Sequence, residues 1–439
     1  MKQKLLSLTW PIFLESFFFM LLGSVDVFML GKYSDNAAGA IGVVNQVVGL
    51  SGLIFTIITT GTAIICAQYI GAKKSDEEIS KLIGAALQVN AFFGIVMSII
   101  MVVFSEELLH FMKLEEELFN EGIEYMNIVG GFVFVQAIVN TFSAVLRSYG
   151  KTKMCMINTL CMNLLNIGMN YMLIFGHGPF PEMGAKGAAV STTISKVIAL
   201  FVLGIYALKT VAKNLKIKHV ISFQKEELKK ILNLGLPSAG ETISYNLARI
   251  MITRVVSTIG SVAVITNTYV STITNYNYLF AVAIAQGTSI MIGWKVGAGK
   301  KDEAYKLCLN SFFKGFSLSM VITACCLIFG KYILGYFTDS EEIIKLGVII
   351  FALDFINEAG RSANLIIIGA LRAAGDVRFP VIIGILSNWF IAVLISYVFG
   401  IVFDMGFVGV WLALGIDEVI RGIIMFIRWK NKKWINKTV

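Results

Sequence analysis

Apolar runs of about 20 residues, each long enough to cross a bilayer as a helix, follow one another along this chain between short charged turns. The pattern predicts twelve spans, over 6–30, 41–69, 82–104, 123–146, 154–176, 187–208, 231–258, 263–294, 306–329, 343–370, 379–402 and 407–428. Lys2 and Lys4 stand where a signal peptide would carry its charges, but the run that follows is too long for one and contains Glu15. It is read as the first span. One long polar stretch, 209–230, splits the series into six spans before it and six after. This stretch is expected to be a cytoplasmic linker at the membrane surface, with an anionic-lipid site as the alternative. The expected organisation is an N-terminal six-helix lobe over 1–208, the linker over 209–230, and a C-terminal six-helix lobe over 231–439.

The two halves carry the same landmarks about 226 residues apart. Residues Gly61 to Glu77 read GTAIICAQYIGAKKSDE, and Gly287 to Glu303 read GTSIMIGWKVGAGKKDE. Pro11 matches Pro237, Leu146-Arg147-x-x-Gly150 matches Leu371-Arg372-x-x-Gly375, and Gly184-x-x-Gly187 matches Gly406-x-x-Gly409. Repeats with an even number of spans enter from the same side, so the lobes are expected to be related by an axis along the membrane normal. A transporter handling substrate between its repeats is the architecture this implies. Pro11 and Pro237 either kink the first helix of each lobe or simply start it.

Composition agrees with the pattern. Charged residues are 15% of the chain, against about 25% in soluble domains, and mean hydropathy is +0.77. The fold class is therefore an all-α polytopic membrane protein. Lysines and arginines gather on one side of the spans: Lys73, Lys74 and Lys81; Arg147, Lys151 and Lys153; the linker; Lys295, Lys300, Lys301 and Lys306; Arg372 and Arg378; and the tail from Arg428 to Lys437. That bias predicts cytoplasmic N- and C-termini in a cell (inner) membrane. It also accounts for the net charge of +9 without a nucleic-acid partner. The six cysteines lie in or beside apolar spans with no CxxC pair, which argues against a disulfide framework or a zinc site.

Enzyme chemistry finds little support. The Gly297-Ala-Gly-Lys-Lys301 run lacks the spacing, the Ser/Thr and the preceding strand of a phosphate loop. His110, His177 and His219 all fall in predicted loops, away from any triad or metal cluster. Without an ATP site, transport must draw on an ion gradient or on the substrate's own gradient. Charge inside the membrane then becomes informative, because it is tolerated only when paired or facing a polar cavity.

Glu15 and Asp26 lie eleven residues apart on the first span, about three turns, so they share one face. Asp26 has two possible roles, exchange of a proton or sodium ion in a cavity, or capping of a loop at the outer interface. Glu241 is the repeat mate of Glu15, whereas Asp26 is matched by Ile252, so an Asp26 ion site belongs to the N-terminal lobe alone. The paired glutamates are either structural or substrate-facing. Asn163, Asn166 and Asn170 form an i, i+3, i+7 stripe on the fifth span that either joins helices or lines a cavity. Asp354, Asn357, Glu358, Arg361 and Asn364 on the tenth span form either an ion-pair network, with Arg249 and Arg254 as further partners, or a substrate-facing wall. Asp417, Glu418 and Arg421 are expected to be structural.

In this order and spacing the motifs resemble the multidrug and toxic compound extrusion (MATE) family, in the branch common in low-GC bacteria. The resemblance runs through Trp10-Pro11, Glu15, Val25-Asp26-Val27-Phe28-Met29-Leu30-Gly31, Gly61-Thr62, Gly71-Ala72, Leu146-Arg147-Ser148-Tyr149-Gly150, Asn166-Ile167-x-x-Asn170, Gly184-x-x-Gly187-Ala188-Ala189 and Leu371-Arg372-Ala373-Ala374-Gly375-Asp376. It covers essentially the whole chain. It implies two six-helix lobes around a V-shaped cavity and export of amphipathic, often cationic drugs against proton or sodium entry. It also implies ion coupling at Asp26, helped by Asn166, Asn170 and Thr192, with no cofactor and no metal beyond transient sodium at Asp26. Asn170 stands where the family pattern has an aspartate, which leaves that site a single carboxylate. Another branch binds sodium through an acidic residue of the tenth span, and at the position eleven before Arg372 this chain has Arg361.

The expected function is therefore antiport of amphipathic small molecules for H+ or Na+ by a monomer in the lipid bilayer, through alternating access of the two lobes. The alternative is a flippase or exporter of a lipid-linked saccharide or other anionic amphiphile. A membrane-embedded enzyme would need a nucleophile or metal constellation, and none is visible. A non-transporting sensor would not explain polar residues on the matched helices.

Overall fold

The computed structural model describes residues 4–437, apart from the side chains of Leu22 and Ser24. Lys2, named above with Lys4 at the start of the first span, lies outside them. Twelve long helices account for the fold, and no strand occurs among the described residues. They are α1 Leu5–Tyr33, α2 Asp35–Gly71, α3 Asp76–Val103, α4 in two segments Glu116–Gly131 and Val133–Ser148 bent by 41°, α5 Thr152–Phe175 and α6 Gly184–Thr210. The second half supplies α7 Lys225–Ile259, α8 Ser261–Gly297, α9 Lys301–Gly335, α10 Glu341–Ala373, α11 Arg378–Val402 and α12 Gly406–Lys430. Helices suit this environment because each satisfies its own backbone hydrogen bonds where no water can.

Seven of the described helices are individually long and apolar enough to cross a membrane, and the bent α4 makes an eighth. The four that fall short, α5, α7, α10 and α12, are those carrying the asparagine stripe and most of the arginines. Their polarity does not require exposure to water, since charged residues in a membrane bundle face its interior or a cavity.

Local signals set the helix ends. Ser75 caps α3 by a capping box: its Oγ accepts from the Glu78 N–H at 3.3 Å, and Glu78 Oε2 accepts from the Ser75 N–H at 3.1 Å. The two Leu-Arg-x-x-Gly motifs end α4 and α10 alike, with Gly150 at φ 74° and Gly375 at φ 93°. Only glycine takes that conformation cheaply, which explains the motif's fixed last residue. Pro11 and Pro237 both lie inside their helices, beyond the first turn. Each therefore interrupts an established hydrogen-bond ladder rather than starting a helix.

By packing, the chain divides into two compact units. One comprises Trp10–Cys66 and Lys74–Gly235; the other comprises the chain up to Thr9, Ala67–Lys73 and the chain from Leu236 onward. The first is built around Leu30, Ile41, Phe55, Met101, Met126 and Ile174. The linker belongs to it: a short helix, Ile217–Ile221, lies against α3 with His219 buried and its Nε2 3.2 Å from Glu77 Oε1. His219 was expected in a loop, but here it anchors the linker. The second unit has two main apolar clusters, one around Ile252, Val270, Phe351 and Trp411 and another around Ile367, Leu371, Trp429 and Trp434. Trp429 and Trp434 stack with ring centroids 4.2 Å apart, which gives the tryptophans of the C-terminus a packing role.

Close helix approach depends on glycine. A Cβ at Gly360 of α10 would collide with the backbone of Glu418 and Val419 on α12, whereas one at Gly240 of α7 would meet nothing within 4 Å. Gly360→Ala is expected to destabilise the second unit by about 2 kcal/mol through overpacking, and Gly240→Ala to have no such effect. Thermal unfolding of the detergent-solubilised variants tests the contrast, and equal unfolding midpoints would contradict it.

Candidate functional site

Helices α1, α5 and α6 bring one polar cluster together inside the first unit. Asn170, fully buried on α5, donates from Nδ2 to Asp26 Oδ1 on α1 at 2.7 Å and to Asn166 Oδ1 one turn back at 3.2 Å. Asn166 Nδ2 in turn donates to Ser191 Oγ at 3.3 Å and Thr192 Oγ1 at 3.2 Å on α6. Ser191 Oγ donates back to the Asn166 carbonyl at 3.0 Å. Asp26, Asn166, Asn170 and Thr192 are thus joined in one chain of hydrogen bonds.

The third member of the stripe behaves differently. Asn163 Nδ2 donates to the Phe18 carbonyl at 2.6 Å, so it ties α5 to α1. The asparagine ladder therefore has a helix-joining end and an end at the carboxylate.

Because both Asn170 N–H contacts go to acceptors, the orientation of its amide is fixed by its partners. Its Oδ1 is left as a buried acceptor with no donor. An unpaired buried acceptor is costly, and one beside a carboxylate suits a cation or a donated proton. Asp26 Oδ1 and Asn166 Oδ1 both accept from Asn170 Nδ2, which leaves Asn170 Oδ1 as the acceptor still open to a further donor or cation. Among the described residues, no group of three or more His, Cys, Asp or Glu could hold a metal ion.

One residue of this region escapes sequence inspection. Lys196 sits on α6 one turn past Thr192, and its charge acts on Asp26. Within an apolar span it is a lone lysine without a neighbouring motif. Its i, i+4 spacing from Thr192 is the signal that could have found it.

Glu15 stands apart from this cluster despite sharing its helix with Asp26. Its Oε1 accepts from Arg147 Nη2, at the end of α4, at 2.7 Å. The repeat mates do the same in the second unit, where Glu241 Oε2 on α7 accepts from Arg372 Nη2 on α10 at 2.5 Å. Two landmarks that look unrelated along the sequence are therefore the two ends of one ion pair, present twice. Arg147 and Arg372 were read as part of the cytoplasmic charge bias, but each is committed to a glutamate of a membrane helix.

The second unit holds the remaining charges. Glu358 is fully buried and accepts from Arg361 Nη1 at 2.5 Å. Asp354, also buried, accepts from Asn357 Nδ2 at 2.9 Å. Arg421 bridges Asp417 at 2.7 Å and Glu418 at 3.0 Å, and Asn364 Nδ2 donates to Glu418 Oε2 at 2.5 Å. These groups surround a cavity of about 530 Å³ whose wall includes Arg249, Arg361, Arg372, Arg421, Glu241 and Glu418. Asp354, Glu358 and Asp417 are not part of that wall. Arg249 pairs with no carboxylate among the described residues and lies over the Tyr245 ring at 5.9 Å.

A family model described as MatE matches this chain twice, over residues 11–172 and 237–398. The two matches begin at the paired prolines, as the internal repeat requires. The "Uncharacterized transporter YisQ" of Bacillus subtilis (strain 168) is 39% identical over 433 residues, covering 99% of this chain and 95% of that protein. The "Probable multidrug resistance protein NorM" of Thermotoga maritima is 24% identical over 438 residues, covering 100% of this chain and 94% of that protein. A crystal structure of MATE in the bent conformation superposes with a TM-score of 0.88 at 20% identity, covering 98% of this chain and 94% of that one. The outward-facing conformation of a multidrug resistance MATE family transporter gives 0.87 at 21% identity, covering 99% and 96%. With both halves matched and twelve helices in two six-helix lobes, this chain belongs to the MatE family of membrane transporters.

Proposed function

We propose that this transporter exports amphipathic small molecules in exchange for H+ or Na+, with Asp26 as the coupling carboxylate. The observation that carries this reading is the Asp26–Asn170 contact beside the unpartnered Asn170 Oδ1. A proton or sodium ion at Asp26 neutralises the carboxylate and competes for the oxygens that Asn170 and Asn166 present. Its arrival therefore rewires the hydrogen-bond chain that runs from α1 through α5 to Thr192 of α6. Alternating access of the two lobes follows if the ion binds one orientation more tightly than the other, since an ion with equal affinity for both shifts nothing.

The single carboxylate of this site supports a stoichiometry of one titrating or sodium-binding group in the N-terminal lobe. Cationic amphiphiles, the substrates the family resemblance implies, would compete with the coupling ion for that same charge. The alternative class, an anionic amphiphile, has its own support in the arginines of the second unit's cavity.

The test is transport in proteoliposomes containing the purified protein and amphipathic fluorescent probes of either charge. An imposed proton gradient and then a sodium gradient are applied at matched membrane potential. Probe movement that follows one gradient identifies the coupling ion. Movement indifferent to both would overturn the antiport reading.

A further inference from the structure

Most charges around the second unit's cavity have partners, and the exception is informative. Arg372 is held by Glu241, Arg361 by Glu358, and Arg421 by Asp417 and Glu418. Arg249 alone among the lining arginines reaches the cavity without a carboxylate within 4 Å. It also lines a small recess of about 30 Å³ together with Asn388 and Arg421. Asn388 is 2% exposed, and its Nδ2 is a buried donor with no partner. It opens the π-helical turn Asn388–Val393 of α11. Such turns widen a helix locally and recur at functional sites. Arg249 is exposed, and its guanidinium and the orphaned Asn388 amide donor at one recess can both be met by an anion, while Asn357 Oδ1 is an unpartnered acceptor on the same wall.

Asp417 and Glu418 also border the recess, but both are already engaged by Arg421. With Glu358 on Arg361 and both Asp417 and Glu418 on Arg421, three arginines face three carboxylates, so the recess has no surplus positive charge to hold a phosphate dianion and a singly charged carboxylate is the anion Arg249 can take. Beside it, Tyr245 lies under Arg249 and Tyr278 under Arg361, and both rings line the cavity. Aromatic faces and a volume of about 530 Å³ suit the apolar body of a drug-sized molecule.

We propose that the second unit binds an amphipathic organic acid, its carboxylate on Arg249 and Asn388 and its apolar body against Tyr245 and Tyr278. This names the substrate class of the transporter and rests on the export reading above. It does not depend on which ion drives the cycle.

The test is equilibrium binding of two shape-matched fluorescent probes, anthracene-9-carboxylate and 9-anthracenylmethylammonium, to the full-length protein in detergent. The carboxylate is expected to bind at least about tenfold more tightly than the cation, the lower edge for a charge-assisted hydrogen bond. Arg249→Ala should remove that preference without weakening the cation, and Arg249→Lys should restore part of it. Equal binding of the two probes, binding of neither, or an Arg249→Ala protein that keeps its carboxylate preference would each overturn the proposal. Proteoliposome efflux separates the two readings. Gradient-driven export of the cation alone would sink the organic-acid site and leave antiport standing. Arg249-dependent carboxylate binding without gradient-driven export would do the reverse.

Discussion

Replacing Asp26 by asparagine is expected to leave a folded, membrane-inserted protein whose export no longer responds to an ion gradient. The amide keeps an oxygen where Asp26 Oδ1 accepts from Asn170 at 2.7 Å, so the contact between α1 and α5 can persist. What disappears is the charge that a proton or sodium ion neutralises. An ion that biases the two orientations tenfold supplies roughly 1.4 kcal/mol of coupling, and a neutral side chain supplies none. In proteoliposomes the gradient-driven rate should fall at least about tenfold, to the rate without a gradient. Undiminished gradient-driven export by Asp26→Asn would remove Asp26 from the coupling role. The position of the orphaned Asn170 Oδ1 would then need another explanation.

The second large effect concerns stability rather than transport. Arg147→Ala should destabilise the first unit by about 3 kcal/mol, because it leaves the Glu15 carboxylate in a poorly hydrated site without its counter-ion. That figure is the low end for a broken buried pair, as the Arg147 side chain is 31% exposed while that of Glu15 is 10%. Glu15 can least tolerate the loss because its Oε2 already has no partner. The double variant Glu15→Gln/Arg147→Gln should recover most of the loss, since removing both charges also removes the desolvation penalty. Thermal unfolding of the four proteins in a double-mutant cycle measures the coupling. A double variant no more stable than Arg147→Ala would show that the arginine acts through packing instead.

The legible and illegible parts of this protein divide along physical lines. Span number and the internal repeat follow from apolar length and landmark spacing, which are properties of the chain taken in order. The Asn163–Asn166–Asn170 stripe was also readable, because helical periodicity decides which side chains share a face. Its split into a helix-joining Asn163 and a carboxylate-binding Asn170 was not, since that depends on where α1 lies beside α5. For the same reason Glu15 and Arg147, 132 residues apart, stood out separately but not as partners. Arg147 and Arg372 sit at helix ends beside cytoplasmic lysines, so a count of loop charges absorbed them. Lys196 was missed because one lysine changes the hydropathy of an apolar span very little. Arg249 was noted only as a possible partner for the carboxylates of α10. It has no carboxylate partner among the described residues, and no sequence pattern records an unmade contact.

The twofold occurrence of the glutamate–arginine pair also orders events in the history of the chain. Whatever both halves share is older than the gene duplication that joined them, and Glu15–Arg147 with Glu241–Arg372 belongs to that inheritance. A six-helix ancestor with an even number of crossings would have carried this pair in every copy. Asp26 opposite Ile252 belongs to a later period, when the fused halves were free to diverge. The same holds for Arg249, whose counterpart 226 residues earlier is Gly23. Fusion left each half free to carry a polar residue that its mate lacks.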